Sequence, residues 1–215
     1  MRKLAFLASF SAALYFFAPV ARLYAETRAE TAFSYIEMGQ KFARLGDFDR
    51  AIRTYNIALQ FVPDFAPAYF NRGLAYEALG EFSRAIADYT KTLEIVPSLT
   101  TALYNRGSLR LSEGDLDGAV SDFNHALESD PRYVLAYNNR GIAKASKGDV
   151  DGALSDFNEA IRLNSHHPEA YVNRGLLRLQ LGRKLEAERD FARSIALRPS
   201  LRQFIYSRIN QISQR

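Results

Sequence analysis

The chain of 215 residues contains no cysteine and only three histidines. Without cysteine the chain forms no disulfide, has no thiol chemistry and carries no lipid-modified N-terminal cysteine. His166 and His167 are adjacent, and adjacent side chains on a helix or strand point apart, so they make a poor metal pair. No glycine-rich phosphate loop is present, and no serine or aspartate is paired by its spacing with a base. We therefore expect no enzyme activity, no metal and no cofactor.

A strong charge imbalance is also missing. The chain has 28 Lys and Arg against 24 Asp and Glu, and three of these cations lie in residues 1–25, so the remainder carries 25 against 24. This near balance gives no electrostatic indication of nucleic acid, and we expect no nucleic-acid partner. Residues 183–215 carry 8 cations against 3 anions. We interpret them as a solvated end of the domain, with contact to an anionic partner as the alternative.

The N-terminus holds the longest apolar run, at residues 4–20, preceded by basic residues 2–3 and followed by the small residue Ala25. This order is typical of a secretory signal peptide, which we predict over residues 1–25. A short linker is predicted over residues 26–31. The protein is then expected in the periplasm or outside the cell. Because the run is only slightly short for a membrane-spanning helix, an uncleaved membrane anchor is the alternative, and membrane contact is expected only in that case.

The chain does contain a strict 34-residue repeat. A small residue, an aromatic residue and a second small residue recur at constant offsets, as in Ala85, Tyr89 and Thr92, and a proline closes four of the five copies. A fixed period in this range indicates a solenoid built from one supersecondary unit. Two glycine columns keep the same period: Gly39, Gly73, Gly107, Gly141 and Gly175, then Gly46, Gly80, Gly114, Gly148 and Gly182.

Each repeat is predicted to be a pair of helices. Spacings of three and four place the small and aromatic residues on one side of the second helix. Segment 69–79 has helical spacing too, and Gly80 predicts its C-terminal cap. A heptad coiled coil is the alternative, but the recurring glycines and prolines would interrupt it. Four acidic residues follow the second glycine and can accept the free N–H groups of the next helix: Asp47, Glu81, Asp115 and Asp149.

With Gly, Ala, aromatic, Ala and Pro at these offsets, the period resembles that of the tetratricopeptide repeat (TPR) family. The resemblance implies an all-α fold, a right-handed α-solenoid of helix-turn-helix repeats. Five repeats are predicted, at 32–65, 66–99, 100–133, 134–167 and 168–201. A capping helix is predicted over residues 202–215. Its apolar stripe consists of Leu201, Phe204, Ile205, Ile209 and Ile212.

In the family that the chain resembles, the first helices of successive repeats line a concave groove that binds peptides or protein segments. The resemblance thus implies a non-enzymatic interaction scaffold with a protein or peptide partner; a membrane-anchored assembly subunit of an envelope complex is the alternative. The predicted groove residues are Ile36, Gln40, Phe70, Asn71, Leu74, Tyr104, Asn105, Ser108, Asn138, Asn139, Ile142, Val172, Asn173 and Leu176.

Two kinds of groove residue have two interpretations each. Phe70 and Tyr104 are predicted aromatic anchors for a partner, but they could instead pack between helices. The recurring asparagines, such as Asn71 and Asn139, could meet a peptide backbone or bond to a neighbouring repeat. Some relatives add groove cations that clamp a C-terminal carboxylate. The matching positions here hold none, so we do not expect that clamp.

An internal coupling links four of the repeats. Arginine occurs where the family usually has leucine, and the same four repeats carry an aspartate 16 residues later. We predict structural ion pairs, since a charged pair inside a stack needs good hydrogen bonding. A further cation occurs at Arg110, Lys144 and Arg178, and we expect it to pair with acidic neighbours, with a positive stripe as the alternative. The four predicted pairs are Arg72–Asp88, Arg106–Asp122, Arg140–Asp156 and Arg174–Asp190.

Overall fold

A computed structural model describes residues 26–213 of the chain. In that range the chain forms eleven α-helices and no strand, which confirms the predicted all-α class. The helices are α1 (residues 26–44), α2 (Phe48–Phe61), α3 (Ala66–Ala78), α4 (Phe82–Ile95), α5 (Thr100–Glu113), α6 (Leu116–Ser129), α7 (Val134–Ser146), α8 (Val150–Leu163), α9 (Pro168–Gln180), α10 (Lys184–Leu197) and α11 (Leu201–Ser213).

The chain divides into two compact units, Met1–Val96 and Pro97–Arg215. In the N-terminal compact unit α3 packs on α4, and α2 packs on α3. In the C-terminal compact unit the pairs α5–α6, α7–α8 and α9–α10 pack in the same way. In addition, α6 packs on α7 and α8 packs on α9, so these second helices contact the first helix of the next repeat. The elementary structure is therefore a helical hairpin that stacks on its neighbour.

The first glycine column allows the two helices of a hairpin to approach each other closely. A Cβ placed on Gly141 would lie 2.6 Å from Cε1 of Phe157, well inside the closest normal contact, and the other four glycines face the aromatic ring of their own second helix in the same way. These aromatic rings are almost completely buried. Burying such a side chain contributes about 1.5–3 kcal/mol, so the contact between glycine and aromatic ring stabilises every repeat.

The second glycine column ends the first helices. Its five members have φ between 75° and 85°, a left-handed conformation that favours glycine, and the expected C-terminal cap at Gly80 is confirmed. Asp47, Asp115 and Asp149 then accept a hydrogen bond from the backbone N–H three residues later, as predicted. Glu81 does not, because its longer side chain bonds Arg84 instead.

Residues 26–31 are helical, so the short linker predicted there is wrong. They form the described start of α1, and Ala32 immediately after them is fully buried in the core of the first hairpin. Arg28 Nη2 donates a hydrogen bond to the carbonyl of Gln60 at 3.3 Å, which ties this stretch to α2. The sequence Glu-Thr-Arg-Ala-Glu-Thr contains no glycine or proline that would interrupt a helix. The predicted signal peptide lies outside the described residues.

The last helix, α11, begins at Leu201 and packs on α9 and α10. Ile205 is fully buried in a cluster with Val172 and Phe191, and Ile209 packs against the same cluster. Phe204, which was predicted to belong to the buried stripe, is 49% exposed. Its position is that of Ala170 one repeat earlier, which is fully buried, and a phenyl ring is too large for that space. Of the described helices, none has the length and apolar character needed to span a membrane.

Candidate functional site on the first helices

The predicted arginine–aspartate pairs are present in all four repeats. Each arginine on a first helix donates from Nε and Nη2 to both carboxylate oxygens of the aspartate on its own second helix, at 2.6–3.0 Å. The aspartates are buried. The hydrogen bonds that Arg72 donates to Asp88 raise the pKa of Arg72, although burial opposes this shift. This paired, two-bond geometry is the kind that offsets the cost of burying charge.

The additional cations share these aspartates. Arg110 Nη1 lies 2.8 Å, Lys144 Nζ 2.9 Å and Arg178 Nη1 2.7 Å from an oxygen of the aspartate in their own repeat. We expected the additional cations to pair with other acidic neighbours, and two of them do: Arg110 Nε lies 3.6 Å from Asp115 Oδ2, and Arg178 Nη2 lies 3.2 Å from Glu186 Oε2. The buried aspartate of the same repeat was not expected to serve a second cation, but each carboxylate oxygen has more than one lone pair to offer. The three cations are therefore held inside the hairpins, and the positive stripe considered as an alternative is not formed.

An asparagine column that was not predicted from the sequence completes this network. Arg140 Nη1 donates to Oδ1 of Asn124 at 2.7 Å, and Arg174 Nη1 donates to Asn158 at 2.6 Å. Arg72 bonds Asn56 in the same way. Each asparagine lies on the second helix of the preceding repeat, so the arginine joins two repeats. The signal was available, since these asparagines share the 34-residue spacing.

In the N-terminal compact unit, the predicted groove residues lie on α1 and α3 and are only partly available. Ile36 is buried in the core, and the ring of Phe70 lies 5.9 Å from that of Tyr89 on α4. Gln40 Nε2 donates to Oδ1 of Asn71 at 3.2 Å and thereby links the two first helices. Leu74 is 39% exposed. Phe70 therefore packs between helices, as the second of its two interpretations predicted, and Leu74 is exposed to solvent.

In the C-terminal compact unit, amides link successive first helices. Asn139 Nδ2 on α7 lies 3.3 Å from Tyr104 Oη and 3.2 Å from Ser108 Oγ on α5. Asn173 Nδ2 on α9 donates to Oδ1 of Asn138 at 2.9 Å, and Asn138 Nδ2 donates to Asn139. We call this connected set the amide ladder. It explains why a poor helix former recurs in mid-helix: the asparagines bond to the neighbouring repeat.

Tyr104 is a partly buried member of this surface. Its ring lies 6.1 Å from Phe123 on α6 and packs edge-on at 5.2 Å from Tyr133. Burial raises the pKa of Tyr133, and Tyr104 and Asp130 act in the same direction. Asn105 also lies on this face of α5 and is half-buried. Tyr104 is therefore held rigidly by two aromatic contacts while its hydroxyl group joins the amide ladder.

Three predicted groove residues line a pocket between α7, α9 and α11. Ile142, Asn173 and Leu176 line it, together with Gln180 and Arg208. Val172, in contrast, is buried in the core beneath α11. The pocket combines an apolar floor with amide and guanidinium groups, which suits recognition of a polypeptide segment. Arg208 belongs to the last helix and was not among the predicted groove residues.

The histidine pair has structural contacts. His167 Nδ1 lies 2.8 Å from Glu169 Oε2, and His166 Nδ1 lies 3.3 Å from Ser165 Oγ. In the range that the structure describes, no three His, Asp or Glu side chains are grouped so as to hold a metal ion. The two histidines therefore form side-chain contacts within the turn between the fourth and fifth repeats.

The geometry is that of an all-α repeat protein built from stacked helical hairpins. Comparison with known protein families identifies the family. A TPR repeat model matches residues 39–80, and tetratricopeptide repeat models match residues 66–99, 104–168 and 138–201. The chain belongs to the tetratricopeptide-repeat family. A comparison with the sequences of curated proteins gave no match.

Solved structures share the fold. The crystal structure of MamA is 25% identical, with a TM-score of 0.71 over 77% of this chain and 96% of MamA. YrrB, described as a TPR protein with an unusual peptide-binding site, is 20% identical, with a TM-score of 0.72 over 86% of this chain and 92% of YrrB. PilF of Pseudomonas aeruginosa is 20% identical, with a TM-score of 0.68 over 86% of this chain and 90% of PilF.

Proposed function

We propose that this protein is a non-enzymatic interaction scaffold that binds a peptide or protein segment along its first helices. The observation that carries the proposal is the amide ladder of the C-terminal compact unit, where Asn139, Asn138 and Asn173 are held in order on successive first helices. Each amide has two donors and an acceptor with two lone pairs, so the ladder retains capacity after its internal bonds are made. An extended backbone offers matching groups.

Apolar side chains on the first helices of each compact unit support this function. Leu176 and Ile142 line the pocket beside Asn173, and Leu74 is exposed on α3 of the N-terminal compact unit. Tyr104 adds a rigid aromatic ring, a residue type that often dominates binding energy. The likeness to YrrB, a TPR protein with a peptide-binding site, is consistent with a peptide partner. A partner bound here would combine backbone hydrogen bonds with side-chain burial.

The protein is further proposed to act outside the cytoplasm, in the periplasm or as a secreted protein. The support is the basic, apolar and small-residue order of residues 1–25. Mass spectrometry of the mature N-terminus tests this proposal. A chain that begins at Glu26 agrees with export and cleavage. A chain that retains residues 4–20 favours the second function, an anchored assembly subunit of an envelope complex.

The binding proposal is tested by capture from a cell-envelope extract with the wild-type chain and with two variants. The first variant carries Phe70→Ala and Tyr104→Ala, and the second carries Leu74→Glu and Leu176→Glu. Leu185→Glu is the matched control, because Leu185 is 72% exposed on the second helix α10. Circular dichroism verifies that each variant is folded. We expect both face variants to lose specifically captured proteins and the control to retain them; undiminished capture by folded face variants would refute the proposal.

A further inference from the structure

The pocket between α7, α9 and α11 combines an apolar lining with one charge. Of the described residues that line it, five are apolar, three carry an amide or hydroxyl group, and Arg208 alone is charged. Its volume of about 250 Å³ lies below the roughly 300–1,000 Å³ of small-molecule sites, so it suits one or two side chains of a polypeptide. The apolar residues are Ile142, Ala145, Phe157, Leu176 and Leu177, and the polar ones are Ser146, Asn173 and Gln180.

Arg208 differs from the cations of the neighbouring first helices because it lacks a carboxylate partner. The six lysine and arginine side chains of α5, α7 and α9 each lie 2.6–2.9 Å from a buried aspartate of their own hairpin. Arg208 is exposed and donates from Nη1 to Oε1 of Gln211, one turn further along α11, at 2.9 Å. Within residues 26–213 it forms no ion pair. The pocket therefore holds a positive charge that its own residues do not neutralise.

Amide groups in the same pocket keep hydrogen-bonding capacity. Asn173 Nδ2 donates to Asn138 Oδ1 at 2.9 Å, which leaves the Oδ1 atom of Asn173 as an acceptor for a backbone N–H. Gln180 is exposed, and its amide has no hydrogen-bond partner among the residues that the structure describes. Because Asn173 belongs both to the amide ladder and to the pocket, a segment that follows the ladder reaches Arg208.

We propose that this pocket selects a partner segment in which an aspartate or glutamate lies beside an apolar residue; this inference rests on the function proposed above. The carboxylate binds the guanidinium of Arg208, and the apolar side chain packs against Ile142 and Leu176. The excess of cations in residues 183–215 acts in the same direction. We assign the carboxylate to a side chain, because the repeats hold no cations at the positions that clamp a C-terminus.

The test selects binders to the wild-type chain from a phage library of random dodecapeptides. Each displayed peptide is fused to the coat protein at its C-terminus, so no C-terminal carboxylate is present. The selection is repeated on Arg208→Gln and on Arg208→Glu. Arg202→Gln is the matched control, since Arg202 is an exposed arginine of the same helix that lines a separate cleft between α10 and α11. Circular dichroism verifies that each variant is folded.

We expect the wild type and Arg202→Gln to enrich peptides with an acidic residue next to an apolar one. Arg208→Gln should keep the apolar preference and lose the acidic one, and Arg208→Glu should enrich lysine or arginine instead. The best wild-type peptide is then synthesised with both ends capped and measured by fluorescence anisotropy. Its affinity should fall about tenfold when the acidic residue is replaced by its amide, and Arg208→Gln should not weaken the amide peptide further. Leu176→Glu should abolish the binding of both peptides.

The outcomes separate this inference from the function on which it rests. Enrichment without an acidic preference, an acidic preference that persists in Arg208→Gln, or binding that survives Leu176→Glu would overturn the inference and leave peptide binding in place. Tighter binding of the amide peptide once its C-terminus is freed would also overturn it, by assigning Arg208 to a chain terminus. Absence of any enrichment on the wild-type chain would contradict the proposed function together with the inference.

Discussion

Two cations share each of three buried aspartates on the second helices: Asp122, Asp156 and Asp190. Asp156 accepts hydrogen bonds from Arg140 Nε and Nη2 and lies 2.9 Å from Lys144 Nζ, while Arg140 extends to Asn124 on the preceding repeat. One carboxylate therefore neutralises two cations and orients a link between repeats. Because the group is buried, its loss leaves positive charge in a low-dielectric environment without compensation.

Replacement of Asp156 by alanine should lower the free energy of unfolding by about 3–5 kcal/mol, since it leaves Arg140 and Lys144 without their carboxylate. Arg140→Ala alone should have a smaller effect, because Lys144 still pairs with Asp156. In the double mutant the two effects should be less than additive by about 0.5–3 kcal/mol. Urea denaturation measures all three variants, with Asp151→Ala, an exposed carboxylate of the same helix, as the control. Strict additivity would mean that the side chains do not interact in solution.

Glu169 should make stability depend on acid pH. Burial by itself would raise its pKa, but its own backbone N–H, the Arg198 side chain and the charge of His167 together hold the pKa below the usual 4.5. Since the folded-state pKa is depressed, the stabilisation is complete above pH 4.5 and is lost as the pH falls through the folded-state pKa. Glu169→Gln should therefore lower the melting temperature at pH 7, and the difference from wild type should shrink below pH 4.5.

A matched variant, Glu188→Gln, changes an exposed carboxylate of α10 and should show no such pH-dependent difference. A melting-temperature difference for Glu169→Gln that stays constant from pH 7 to the acid range would contradict the assignment, because it would then arise from packing rather than from the charge.

Elements of the fold follow from the sequence where the repeat imposes them. The hairpins could be predicted because the glycine and aromatic columns mark a contact between the two helices that recurs in every repeat, as between Gly141 and Phe157. The helical start of α1 was missed, since a single stretch outside the repeat has no column to compare with. The sharing of Asp156 by two cations was missed, because the residue spacing shows how many charges are present but not how many hydrogen bonds one carboxylate oxygen accepts. The burial of the predicted groove residues Ile36, Asn138 and Val172 was also missed, because neighbouring helices and not the repeat spacing decide how far a first-helix side chain is exposed.

Removal of the last helix should expose a hydrophobic surface. Ile205 is fully buried against Val172 and Phe191, and Ile209 packs on the same cluster. A chain that ends at Ser200 should therefore have a lower melting temperature and should aggregate, because terminal repeats need a covered apolar face. Analytical ultracentrifugation and thermal denaturation check this. The control is Phe204→Ser and Tyr206→Ser, which removes exposed aromatic rings of α11 and keeps the helix; a truncated chain that stays monomeric with unchanged stability would contradict the prediction.

At the scale of the whole molecule, repetition separates stability from recognition. The aspartate network and the glycine–aromatic contacts lie inside the hairpins, so exposed positions such as Leu74 and Leu185 vary without disturbing the stack. Stability in such proteins is approximately the sum of repeats and their interfaces. Family membership and fold class could therefore be predicted from the period, whereas the period does not constrain the exposed side chains and so does not predict a partner.

The central claim, that the first helices bind the partner, is tested most directly by hydroxyl-radical footprinting of the complex. The probe is a partner captured from envelope extract by the wild-type chain, and mass spectrometry reads oxidation of each side chain with and without it. The account predicts protection at Leu74, Tyr104 and Leu176, and unchanged oxidation at Leu185 and Phe82, which are exposed on second helices. Protection of Leu185 and Phe82 with unchanged oxidation of the first-helix residues would contradict it.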